Sequence, residues 1–198
     1  MNAISVKNLN KVFTYYEKKE GFQHSLKNLL VRKQKTKEAV KNISFDIDSG
    51  DIIGFLGPNG AGKTTTLKML SGILYPTSGE VHVLGYCPWK RQKEFKMKYS
   101  MVLGQKSQLW PDLPASETFR LNQYIYEVDE RKCKMLLDEL TEYLDVKHLL
   151  NVQVRRLSLG ERMKLELIAS LIHSPQLIFL DEPSIGLDLV SQKKIRSF

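Results

Sequence analysis

The chain has 198 residues, 42% of them hydrophobic and 26% charged, enough for about one domain with a sizeable core. No apolar run approaches the roughly 18 residues that span a bilayer, and the start MNAISVKNLNKVF has no signal-peptide core, so the chain is expected to fold in the cytosol and not to form a membrane channel itself. The net charge of +8 and pI near 9.4 would suit nucleic acid, anionic lipid or nucleotide phosphate, and much of the excess sits in residues 18–37 and 90–98.

In chain order, AISVKNLN alternates apolar and polar residues and predicts a strand, as does KNISFDI. Between them lies a basic insert, about residues 18–38, in which Phe22, Leu26, Leu29 and Leu30 recur at helical spacing and predict a short amphipathic helix. DIIGFL, residues 51–56, is a short apolar run bounded by Asp and Gly, the pattern of a buried strand. TTLKMLSGI then reads as a helix, GEVHVLG as a strand and YSMVL as another buried strand. From Pro114 to about Leu150 apolar residues step by three and four, predicting helices over SETFRLNQYIYEV and ERKCKMLLDELTEYLDV. Met163 to Ile172 reads as a buried helix, and QLIFL, after Pro175, as a final buried strand. Strands alternating with helices predict an α/β domain with a mainly parallel sheet and a helical insert. Cys87 and Cys133 are far apart, give no metal-binding spacing, and are expected to be inert thiols.

The stretch GPNGAGKTT comprises Gly57, Pro58, Asn59, Gly60, Ala61, Gly62, Lys63, Thr64 and Thr65. It matches G-x-x-x-x-G-K-[ST] between an expected strand and an expected helix, the context this motif requires. Glycines let the backbone curl with its N–H groups turned inward, where no side chain blocks an anion. The helix that follows adds the positive end of its dipole. In such a cradle Lys63 can reach the β- and γ-phosphates of a nucleotide and the Thr64 hydroxyl can ligate Mg²⁺.

LIFLDEP, residues 177–183, ends an expected buried strand in two carboxylates, Asp181 and Glu182, an expensive arrangement unless a cation compensates. Gly57, Gln105 and Asp181 each follow one of three expected strands, so they are expected to converge on one rim of a parallel sheet. Side-chain alternation lets the two acids face different ways, one holding Mg²⁺ through water while the other orients or deprotonates an attacking water. In LSLGERM, residues 157–163, Ser158 and Glu161 form S-x-x-E before an apolar run, a capping box. A helix start capped in this way still presents amides and a dipole to an anion.

Together these residues resemble one family, the nucleotide-binding subunits of ABC transporters. GPNGAGKTT is similar to its Walker A motif, VLGQKSQLWPDLP to its Q-loop, LSLGE to its signature, LIFLDEP to its Walker B and SIGLD (184–188) to its D-loop, in the family's order over nearly the whole chain. The finer likeness is to the exporter branch with ABC-2-type membrane partners. The resemblance implies a P-loop NTPase (RecA-like) core with a mainly parallel sheet, an N-terminal antiparallel β portion and an inserted α-helical subdomain at about 106–172. It implies ATP and Mg²⁺ as cofactors, with Thr64, Gln105 and Asp181 about the metal. Gln105 would sense the metal and γ-phosphate and communicate with a transmembrane permease subunit. Glu182 would be the catalytic base, and Asp188 would belong to a dimer contact. Phe13, with Tyr15 a rival, would stack on adenine. Ser158 and Gly160 would contact the γ-phosphate of ATP bound to a second ATP-binding subunit. Such a protein is expected to be cytoplasmic and peripheral on the inner face of the plasma membrane, with no nucleic-acid partner. Two departures stand out. The signature usually reads LSGGQ, whereas here Leu159 and Glu161 replace a glycine and the glutamine. The family's switch histidine lies on a later strand, and His24, His82, His148 and His173 are not placed to substitute for it. The domain is therefore expected to be incomplete at its C-terminus, to hydrolyse ATP poorly as it stands and to leave a sheet edge exposed. The alternatives are a soluble ABC-type ATPase acting on nucleic acid or ribosomes, and a non-hydrolysing fragment.

Overall fold

The computed structural model describes residues 2–16, 34–104 and 107–182. The helix expected at residues 22–33, Gln105 and the SIGLD stretch with Asp188 lie outside them. Contacts gather the chain into two units, Met1–Gln92 and Lys93–Phe198.

The first unit is built on an antiparallel sheet of order β2-β1-β3, with β1 at Asn2–Tyr16, β2 at Gln34–Asp48 and β3 at Ser78–Val83. Ile4 and Val6 point inward, as their alternation requires, but the register shifts between Val6 and Leu9, where Asn8 has φ 48°. The bulge turns Leu9 inward as well, and it is fully buried. Asn is among the residues that tolerate such a dihedral. Helix α1, Lys63–Leu70, packs Leu67, Met69 and Leu70 into this core beside Val40, Val81 and Val83.

The expected strand at 51–56 is not present. Residues 51–58 have no regular structure, and Ile52 and Leu56 are 99% and 95% exposed, although Phe55 meets Phe45 edge-on at 5.7 Å. A strand needs a ladder partner, and among the described residues nothing pairs with this run. The described sheets are three antiparallel strands, the expected N-terminal antiparallel portion, and the parallel pair β4 and β5.

In the second unit, helix α2 (Lys93–Lys98) leads into β4 (Tyr99–Leu103), which pairs in parallel with β5 (Leu177–Asp181). Both strands are only half-buried: on β5 Phe179 is buried while Ile178 and Leu180 on its other face are exposed. Between the two strands come α3 (Ala115–Ile125), α4 (Glu130–Tyr143) and α5 (Leu159–Leu171). Phe119, Leu140, Leu144, Leu165 and Ile168 are core residues of this helical part, with Leu109 and Val154 from the connections. α4 begins at Asp129, whose side chain accepts from the Lys132 N–H. A smaller core of Val102, Met163 and Leu167 joins β4 to α5.

Candidate functional site

In the first unit, the turn at 57–62 is exposed and runs straight into α1. Gly60 and Gly62 have φ of 84° and 91°, a region that L side chains avoid. A Cβ on Gly62 would also lie 2.3 Å from the Ala39 carbonyl oxygen of β2, so glycine is needed there on two counts. The first turn of α1 holds no acidic residue, and Gly62 at its start supplies no side-chain cap. Positive main-chain charge thus faces the turn without an internal counter-group. Lys63 folds back over this turn and donates from Nζ to the carbonyls of Gly57 at 2.7 Å and Pro58 at 3.0 Å. Thr64 and Thr65 follow, both half-buried, while Pro58, Asn59 and Ala61 are exposed. The donor set is that of an oxyanion site: main-chain N–H groups, an ammonium and a hydroxyl.

Phe13 lies on the same sheet as the strand that backs this turn. The turn leans on Ala39 and Val40 of β2, and in the ladder Val40 pairs with Lys11 and Lys37 with Phe13. Tyr15 is two residues further along, opposite Lys35. The Phe13 ring is 38% exposed, with the Lys11 ammonium 5.1 Å from its centroid. That ammonium is held by the Tyr75 carbonyl at 2.7 Å. Phe13 is therefore an exposed ring with an anchored cation against it, at the level of the phosphate turn.

In the second unit, Leu103 pairs with Asp181 where the two parallel strands end. The Gly104 N–H donates to the Asp181 carbonyl at 3.0 Å. A Cβ on Gly104 would stand 2.9 Å from the Glu182 carbonyl oxygen, so the chain entering Gln105 is pressed against the Asp181–Glu182 backbone. Glu182 is exposed and has φ 54°, a sharp turn out of β5 that re-aims its side chain away from the strand's alternation. Asp181 is half-buried. Among the described residues no group of acids, histidines or cysteines forms a closed metal cage.

At the start of α5, Ser158 and Glu161 form the expected capping box. Ser158 Oγ accepts from the Glu161 N–H at 3.3 Å, and Glu161 Oε2 accepts from the Ser158 N–H at 2.7 Å. The Ser158 N–H, then its hydroxyl, hold the Glu161 carboxyl below its ordinary range. Glutamate in place of the family's glutamine thus has a structural use. Leu159, in place of a glycine, turns outward and is 42% exposed, leaving Gly160 beside it on the first turn.

Sequence reasoning missed Gly104, Lys11 and Glu166. Glu166 stands in the middle of α5 and is only 4% exposed, and burial pushes its carboxyl above the ordinary range. An acid inside LELIASL was the available signal. His173 stacks on Tyr126 at 3.8 Å and lies 3.3 Å from the Tyr99 carbonyl through Nε2, a packed position after α5. Cys133 is a buried free thiol and Cys87 a half-buried one.

A family model described as ABC transporter matches residues 40–185. The chain is 32% identical to the ABC transporter ATP-binding protein NatA of Bacillus subtilis over 84% of its own length and 68% of that protein. It is 34% identical to the bacitracin transport ATP-binding protein BcrA of Bacillus licheniformis, covering 81% of this chain and 51% of that one. It is 37% identical to the mouse cholesterol transporter ABCA5, where 94% of this chain spans 11% of the relative. Two solved structures share the fold. One, described as the ATP-binding subunit of an ABC transporter, has a TM-score of 0.79 at 22% identity over 98% of this chain and 72% of that one. The other, a dimeric ATP-binding cassette in a post-hydrolysis state with ADP and Pi, has a TM-score of 0.77 at 23% identity over 98% and 80%.

Proposed function

Since the chain belongs to the ABC transporter family, as an ATP-binding domain of the kind that couples ATP hydrolysis to transport, we propose that it holds Mg-ATP on the 57–65 turn and works as one of a pair of subunits beneath a transmembrane permease. The observation that carries this is the phosphate turn itself: an α1 start with no cap and no acid, lined by Gly60 and Gly62, with Lys63 resting on carbonyls it can exchange for phosphate oxygens.

Each residue then has a task. The N–H groups of Gly57 to Thr64 and the Lys63 ammonium bind the triphosphate, and Thr65 extends the cradle along α1. Phe13 stacks on adenine with one side of its ring backed by Lys11. Thr64, Asp181 and Gln105 would hold Mg²⁺, which neutralises charge developing on the phosphate oxygens. Glu182 accepts the proton of the attacking water. Ser158 and the Gly160 N–H offer the start of α5 to the γ-phosphate of ATP on a second copy, the contact to which the resemblance assigns Asp188. ATP is then the glue of the dimer and its hydrolysis releases it, which converts chemistry into motion.

A membrane partner is supported by the second unit's surface. Leu121, Tyr124 and Ile125 stand exposed at one-face spacing on α3, and Trp110 and Leu113 are exposed just before it. Among the described residues no helix is long and apolar enough to cross a membrane. The ABC-2-type exporter assignment rests on the LSLGERM and GQKSQLWPDLP stretches and on the similarity to NatA and BcrA. Calorimetric titration with Mg-ATP tests the core of the proposal. Saturable binding is expected, with the affinity lowered at least 100-fold in Lys63→Ala; equal affinity in the two proteins would remove the phosphate-turn assignment.

A further inference from the structure

Glu166 is a carboxylate buried in the middle of α5, a costly place for an acid unless its partners need it. Of its neighbours on the helix, Met163 and Leu167 belong to the small core shared with Val102 of β4. Its hydrogen-bond partners come from another element. The Ser107 hydroxyl and the Gln108 N–H, two and three residues beyond Gln105, both donate to its carboxylate. Among the described residues Ser107 Oγ also accepts from the Leu109 N–H at 3.2 Å, within its own loop. The segment that follows β4 is therefore fastened to the middle of α5 through one side chain. Eight residues earlier on that helix stands Ser158, and four residues earlier stands Arg162.

Beside this fastening lies a cavity of about 100 Å³ lined by Gly104, Ser107, Leu159, Arg162, Met163 and Glu166. Its walls reach from the glycine pressed against Asp181–Glu182 to the first turn of α5. Packing does not fill this space, so hydrogen bonds are what hold the carboxylate to the loop. Arg162 shares the cavity and the helix face of Glu166, yet its Nε is buried without an acceptor among the described residues. The Arg162 charge thus acts on the carboxylate from the helix side while Ser107 and Gln108 face it from the loop.

We infer that Glu166 is a positioning residue that ties the Ser107–Gln108 loop to the signature helix. The inference rests on the ATPase reading above and adds to it a route by which events at Asp181–Glu182 reach Ser158 and Gly160. When the loop is seated, α5 is held through Ser107 and Gln108. Removing either end of the tie should slow the step in which both segments must be in place, while leaving the phosphate turn of the other unit unchanged.

The test is steady-state ATP hydrolysis by the complete protein, as wild type, Glu166→Gln, Ser107→Ala and the double variant, each checked for a cooperative thermal melt. A kcat lowered at least threefold in each single variant is expected, with KM for ATP within twofold. The double variant should be no slower than the worse single one, because both remove the same tie. A kcat lowered less than threefold, a KM that rises with kcat unchanged, or losses that multiply in the double variant would each overturn the inference. Ser107 lies on an exposed loop, so Ser107→Ala carries the test alone if Glu166→Gln does not fold. If the folded wild type hydrolyses no ATP, the ATPase reading fails and this inference with it. If the wild type is active and the variants match it, only the tie is lost.

Discussion

The phosphate turn can be tested by adding one methyl group at two glycines. At Gly62, φ is 91° and an added Cβ would sit 2.3 Å from the Ala39 carbonyl oxygen and 3.0 Å from a Val40 methyl. Ordinary contact begins near 3.4 Å, so turn and strand must part by about 1 Å. Placing an L residue in the left-handed region costs about 1–2 kcal/mol, and forcing apart a packed contact of this kind about 1–3 kcal/mol. Gly62→Ala should therefore lose about 2–5 kcal/mol, read as a melting point lower by about 4–20 °C at the roughly 2–4 °C per kcal/mol of a chain this size. Gly60 is the control. Its φ is 84°, but nothing lies within 4 Å of its Cβ position. Gly60→Ala should cost only the dihedral part, about 1–2 kcal/mol. Calorimetric melts and Mg-ATP titrations of the three proteins would decide. The expected order is wild type, then Gly60→Ala, then Gly62→Ala in both stability and affinity. If Gly62→Ala melts within 2 °C of Gly60→Ala, the close approach to Ala39 does not hold the turn, and the argument for its geometry fails.

Three further outcomes follow from the same residues. Phe13→Ala should weaken ATP binding roughly 5- to 150-fold, from the about 1–3 kcal/mol of base–aromatic stacking, and leave tripolyphosphate binding unchanged; a larger loss in Tyr15→Ala would shift the adenine site two residues along β1. Glu182→Gln in the complete protein should accumulate an ATP-bound dimer on size-exclusion chromatography, and a species that stays monomeric at saturating ATP would contradict its role as base. The capping box predicts a pH dependence: Glu161 is held below its ordinary value near 4.5, so its contribution is fully present above that value and disappears as pH falls through the lowered one. Ser158→Ala should cost about 1 kcal/mol at neutral pH, and Glu161→Gln should flatten the acid limb of the melting curve; an unchanged limb would show that the box does not stabilise α5.

The features readable from sequence are those whose causes are local. Ser158 and Glu161 lie within one helical turn, and their reciprocal hydrogen bonds appear as the spacing requires. The glycine turn is set by residues within a nine-residue window, and α3, α4 and α5 by the repeat of apolar residues along each helix. The strand expected at 51–56 fails for the opposite reason. Apolar content reports that a segment would gain from burial, but a strand also needs a neighbour's amides and carbonyls, and no property of DIIGFL supplies them. Ile52 and Leu56 show the result, apolar yet almost wholly exposed.

Glu166 shows the same limit from the polar side. Its position among apolar residues could be read from the sequence, but not its partners, Ser107 and Gln108, which lie nearly sixty residues earlier. They meet it because β4 and β5 pair in parallel and α5 packs over β4 through Met163 and Val102. The chemistry proposed for this domain divides along this line. Groups that bind phosphate are main-chain amides set by short-range geometry. Groups that must respond to that binding are side chains joined across elements, so their roles depend on packing. Substitutions in the turn should therefore act on affinity, and substitutions at Glu166 or Ser107 on turnover, a separation that titration and kinetics measure independently.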